Sequence, residues 1–175
     1  MPFMKSLLRL AIIISFLLIS VAVAQEEETQ ASQIQKQAQA SCDALIKEDY
    51  PAFIKFTYPK VVEAMGGPEK MSAFLASETK KMKADGFSIV SAEAKTPNTV
   101  YSAGEDRFCI VPTMIRMQTQ KGTIRQASFL VAISNNNSQW TFIDGGGLDT
   151  KKIKELFPNF PDEISFPAKQ PIIAE

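Results

Sequence analysis

The stretch Arg107 to Thr119, RFCIVPTMIRMQT, decides the fold. Phe108, Ile110 and Met114 fall on one side of an extended chain, and Cys109, Val111, Ile115 and Met117 on the other. Both sides are mostly apolar, so the centre of this strand is covered on both faces. Helices supply one cover. The other has to come from a partner chain, the C-terminal tail or a ligand.

Working outward, Gly104-Glu105-Asp106 turns into this strand, and Gln120-Lys121-Gly122 turns out of it into Thr123 to Ser134. Asn135-Asn136-Asn137 then leads to a strand from Gln139 to Asp144. Upstream, Phe87 to Ala92 alternates in the same way and resumes over Thr99 to Ala103 after the Pro97-Asn98 break. Strands joined by short Gly- or Asn-rich turns predict an antiparallel meander.

Ahead of Gly86 the period is helical. Ala31, Ile34, Ala38, Cys42, Leu45 and Ile46 form one stripe of a helix from Gln30 to Glu48. Asp49 caps a short helix from Tyr50 to Thr57, and Pro59 starts a turn reaching Met65 that Gly66-Gly67 stops. Pro68 opens a further helix to Asp85, with Met71, Phe74, Leu75 and Met82 as its buried face and Gly86 as its stop. Near the other end, Asp149 caps a helix from Thr150 to Phe157, followed by a tail punctuated by Pro158, Pro161, Pro167 and Pro171. The expected architecture is α+β, with three N-terminal helices on one face of a curved antiparallel sheet, a short C-terminal helix and a Pro-rich tail. The domain spans 30–157 and the tail 158–175. Phe157, Phe160 and Phe166 between the prolines favour packing on the domain, with an extended partner-binding segment as the alternative.

Residues 1–24 read as a secretory signal peptide. Lys5 and Arg9 precede an apolar run from Leu10 to Val21, and Ala22-Val23-Ala24 gives the small-x-small cleavage pattern. The run is shorter than the roughly 20 residues of a spanning helix, so no stable membrane anchor is expected after cleavage. Residues 25–29 form a solvated lead-in. The expectation is an exported protein, periplasmic or secreted.

The full chain has 19 basic and 19 acidic residues; without Lys5 and Arg9 the balance is 17 to 19. No polyanion is favoured, so nucleic acid is not an expected partner. The chain has no histidine. That removes the usual base near neutral pH, the commonest zinc ligand and the ordinary Ser-His and Cys-His nucleophilic schemes. No metal or cofactor is expected, and the balance leans away from an enzyme. Cys42 and Cys109 are the only cysteines. An oxidising compartment favours a disulfide between them, worth on the order of 4 kcal/mol in the chain-entropy model; the alternative is two buried thiols.

Asp144-Gly145-Gly146-Gly147-Leu148-Asp149 suggests a phosphate loop but lacks GK[ST], and its aspartates would repel an anion. It reads as a glycine hinge between sheet and tail.

The ordered helices, the meander ending in Trp140-Thr141-Phe142-Ile143-Asp144, and the stretches YPKVVE (58–63), Met65-Gly66-Gly67 and Glu69-Lys70-Met71 resemble the nuclear transport factor 2-like (SnoaL-like) superfamily of α+β cones, in particular exported bacterial members. The resemblance covers roughly residues 30–165. It implies a cone with a pocket between helices and sheet, and often a homodimer through the outer sheet face. The superfamily holds isomerases, cyclases and dehydratases beside non-catalytic modules, so the resemblance transfers no catalytic residue. In such a cone Tyr58, Tyr101, Arg116, Trp140 and Asp144 are the candidate pocket residues. The favoured function is a non-enzymatic module binding a small apolar ligand or a protein partner; the alternative is a lyase or isomerase using a carboxylate and a tyrosine.

Overall fold

The computed structural model describes residues 30–135, 138–168 and 170–175. The expected leader and lead-in, 1–29, lie outside the described residues. Helix α1 covers 30–46 and is followed by α2 (Tyr50–Phe56), α3 (Pro59–Ala64) and α4 (Pro68–Ala84). The strands are β1 (Ser88–Ala94), β2 (Tyr101–Ala103), β3 (Asp106–Thr119), β4 (Gly122–Ser134) and β5 (Thr141–Asp144). Helix α5 (Thr150–Leu156) and a short β6 (Ile173–Ala174) complete the chain. The fold is α+β around a curled antiparallel sheet, a half-barrel ordered β1-β3-β4-β5.

The helix ends follow from their caps. Asp49 Oδ1 accepts from the Ala52 N–H (3.1 Å) and Asp149 Oδ1 from the Lys152 N–H (2.8 Å), satisfying amides that the first turn leaves free. Tyr58, ahead of Pro59, is extended at φ −57°, ψ 128°, as the proline ring demands.

The long hairpin β3–β4 is paired from Arg107↔Ser134 to Thr119↔Gly122. On its outer side β1 and β2 share one edge of β3. β1 covers Thr113 to Gln118 and β2 covers Asp106 to Phe108, linked by Lys95 N–H to Pro112 O (2.8 Å) and Asn98 N–H to Ile110 O (2.9 Å). The gap in the ladder falls at Pro112, which has no N–H to offer that edge.

The alternation in β3 sorts the core into two layers. Phe108 and Ile110, with Phe129, Val131, Ile133 and Ile143, pack against Ile153 of α5 and against Phe157, Phe160 and Ile164. Cys109 and Val111, with Ala132, Phe142 and Trp140, pack beneath Ile34 and Ala38 of α1. Contrary to expectation, the N-terminal helices do not all share one face. Helix α1 covers one, whereas Tyr58 and Val61 at α3 pack on the other with α5 and the tail, one of the three expected covers. The tail's aromatics are core residues, and Phe108 meets Phe157 and Phe160 edge-on at 5.0 and 5.1 Å.

A second correction concerns α4. Of its expected inner face only Met71 is buried, and Phe74 is 50% exposed. The helix packs on α2, α3 and the edge strand β1 rather than across the sheet, so a narrow stripe suffices. A third concerns sulfur: Cys42 and Cys109 are free, buried thiols. The reason is placement along α1. The turn bearing Ile34 and Ala38 lies in the layer that holds Cys109, while Cys42 is a turn further on, where it feels the charge of Asp144.

Helix α1 also closes both sides of the sheet with glutamines. Gln35 Nε2 donates to Ala94 O (3.0 Å); Gln39 Nε2 donates to Ala92 O (3.0 Å), while Gln39 Oε1 accepts from the Ala94 N–H (2.8 Å). Gln33 and Gln37 both donate to Ser138 O (2.8 and 2.9 Å), and Gln37 Oε1 accepts from the Trp140 N–H (2.9 Å). Residues four apart share a flank of a helix, so 33/37 and 35/39 reach opposite sides of the same apolar stripe. These side chains occupy backbone groups that an edge strand would otherwise present to other chains.

Candidate functional site

Of the five candidate pocket residues, Tyr58 lines a cleft of substance. Tyr101 lies on β2 and packs against the α5 and tail layer. Trp140 is fully buried under α1, on the opposite face, and its Nε1–H has no partner among the described residues. Asp144 is exposed at the end of β5 and accepts from the Gly146 N–H (3.3 Å). Arg116 sits far along β3, paired with Glu175 (Nη2 to Oε2, 2.7 Å).

The cleft lies where the α2–α3 connection meets the end of the sheet. Thr57 forms a parallel bridge with Phe142, and the Tyr58 N–H donates to Phe142 O (3.0 Å), so the connection acts as a further strand beside β5. The Tyr58 ring rests on Phe157 at 4.9 Å. Around it opens a cleft of about 580 Å³ with an apolar floor of Ile54, Val62 and Ile133 and polar groups from Thr57, Glu63, Asp106 and Thr141. Lys55 stands exposed at its rim. Burial raises the Tyr58 phenol above its ordinary value, and the charges of Asp106 and Glu63 add to the shift.

A phenol so placed stays protonated at neutral pH and donates a hydrogen bond. The two carboxylates whose charge it feels accept from a hydroxyl, an amine or a cation. Neither Glu63 nor Asp106 has an ion-pair partner among the described residues. No group of three His, Cys, Asp or Glu suited to a metal occurs among the described residues. Both cysteines are held in the thiol form, Cys42 pushed up to about 11 by burial and the neighbouring Asp43, and Cys109 to about 12 by burial.

Glu63, Asp106, Thr57 and Thr141 had no local signal as site residues. They meet only because the β3–β4 hairpin returns its open end to the α2–α3 connection. Scanned against models of known protein families the chain matches none, and no curated protein is similar enough in sequence to match it.

Proposed function

We propose that this chain is an exported, non-enzymatic binding module of the nuclear transport factor 2-like cone type, and that the Tyr58 cleft holds a small ligand. Its size of about 580 Å³ and apolar floor suit a compact organic molecule. The observation that carries the reading is the composition of the wall: one protonated phenol and two carboxylates with no ion-pair partner among the described residues. That wall favours a ligand with an apolar body and a hydrogen-bond donor or positive charge. Thermal-shift screening of small aromatic and aliphatic amines against matched carboxylic acids tests it. Amines should raise Tm in the parent, and Asp106→Asn or Tyr58→Phe should cut the shift at least by half. Equal response to the acids would overturn the reading.

The same wall supports one alternative. A tyrosine beside a carboxylate is the minimum for polarising a carbonyl and moving an α-proton, the lyase or isomerase reading. Deuterium exchange at the α-carbon of enolisable ketones, abolished in Tyr58→Phe, would favour catalysis over simple binding.

Export rests on the 1–24 leader. Self-association into a homodimer is proposed with support from Phe74, Phe87 and Val90, exposed at 50%, 42% and 55% on α4 and at the start of β1. Light scattering on residues 25–175 should give twice the monomer mass; a monomer at high concentration would refute it.

A further inference from the structure

Arg116 and Arg125 stand directly opposite each other across β3 and β4. Like charges facing across a ladder repel unless an anion sits between them. In this fold the anion is the Glu175 carboxylate. Its Oε2 accepts from Arg116 Nε (3.0 Å) and Nη2 (2.7 Å), and its Oε1 lies 3.7 Å from Arg125 Nε. The second arm is therefore incomplete, and Arg125 Nε is buried with no hydrogen-bond partner.

The backbone that brings Glu175 here is equally short of a full fit. β6 pairs with β4 only at Ile124↔Ala174 and Arg125↔Ile173, with one further bond from the Glu175 N–H to Thr123 O (2.9 Å). Pro171 has no N–H to continue the ladder. Ile172 and Ile173 remain 58% and 48% exposed. Beyond them, Gln126, Ala127 and Ser128 of β4 have no strand paired to that side among the described residues, because β5 begins its pairing at Leu130. A groove of about 190 Å³ lies along this gap, between Gln126 to Phe129 on one side and the tail residues Phe166, Ala168 and Gln170 on the other.

We propose that this edge of β4 is a strand-addition site for an extended acidic segment of a partner protein, and that Ile172–Glu175 is its placeholder in cis. The partner strand runs antiparallel to β4 and sets a Glu or Asp between Arg116 and Arg125. Its preceding residues, free of proline, continue the ladder past Gln126 to Ser128 and fill the groove. Main-chain bonds supply the affinity and the arginine pair selects the acid. The site is separate from the Tyr58 cleft and stands whether or not the cleft binds anything.

A fluorescent hexapeptide, the tail's Gln-Pro-Ile-Ile-Ala-Glu with threonine in place of proline, is the probe, read by anisotropy at low salt. The chain lacking residues 170–175 should bind it at least tenfold more tightly than the full chain. The full chain with Glu175→Gln, which keeps every backbone contact, should fall between them. Arg116→Ala or Arg125→Ala in the shortened chain, or glutamine for the peptide's glutamate, should weaken binding at least tenfold. The proposal is overturned if the Glu175→Gln chain binds no better than the parent, or if the arginine variants leave binding unchanged. It is equally overturned if light scattering shows the shortened chain dimerising through this edge and the peptide merely dissociating the dimer.

Discussion

Glu48 closes α1 at φ +58°, a backbone region that costs a residue with a Cβ roughly 1–2 kcal/mol. It stays there because the closing bonds, Glu48 N–H to Leu45 O (3.1 Å) and Asp49 N–H to Ala44 O (2.9 Å), need that turn. Its exposed ion pair with Lys83 is too solvated to offset the strain. Glu48→Gly should therefore raise Tm by about 2–4 °C, measured by calorimetry; a lower Tm would give the ion pair the larger role. The glycines of the 144–149 segment divide in the same physical terms. A Cβ on Gly145 would lie 2.3 Å from the Phe129 ring, whereas one on Gly147 meets nothing within 4 Å. Gly145→Ala should cost about 1–3 kcal/mol in urea unfolding and Gly147→Ala almost nothing. At least one member of the expected hinge is thus required by close packing. The thiols give a pH prediction. Burial raises both above the value of about 8.5 expected in the unfolded chain, so above that pH the unfolded state sheds protons the folded state keeps. Stability should fall as pH rises from about 9 to 11, by on the order of 1 kcal/mol per pH unit for each thiol, and Cys109→Ala should flatten the slope.

At the scale of elements, the strands were the most legible part of the sequence, because alternation along β3 and β4 is local and long. Tyr58 was singled out through the resemblance to a cone and not through a local pattern; what Pro59 makes legible is only its extended backbone. The alternating Gln33, Gln35, Gln37 and Gln39 were visible but carried no reading, because an amide signals nothing until a strand edge lies beside it. Gln39→Ala strips the Ala94 N–H of its acceptor, so it should cost about 1–3 kcal/mol and raise hydrogen exchange along β1. Unchanged exchange there would mean the amide bond contributes little. The β6 strand was hidden because two residues cannot show a period. Its Glu175 carboxylate is held below the ordinary range by hydrogen bonding to Arg116 of β3, aided by the charges of Arg116 and of Arg125 on β4. A lowered pKa stabilises above the ordinary carboxylate range, and the contribution fades as pH falls through the folded value. Exchange protection of β6 should accordingly decline below about pH 4.

For the whole molecule, which cover lies on which face could not be read from the chain. Both β3 faces are apolar and several amphipathic segments compete for them; only the curl of the sheet assigns α1 to one side and the tail to the other. The same geometry scattered Arg116, Trp140 and Asp144, since alternate positions and opposite strand ends cannot share one pocket. With Phe160 in the core at 4% exposure, Phe160→Ala should cost about 3–5 kcal/mol, as much as a change in the sheet itself. A small loss would show that the C-terminal cover is dispensable. Both flanks of the sheet are finally tied by side chains of different kinds. The α1 glutamines are uncharged amides, so neither acid nor salt loosens them, whereas the Glu175 tie is ionic and gives way to both. Acid or brine should therefore loosen the last strand before it loosens the first helix, opening one edge of the domain while the other stays covered.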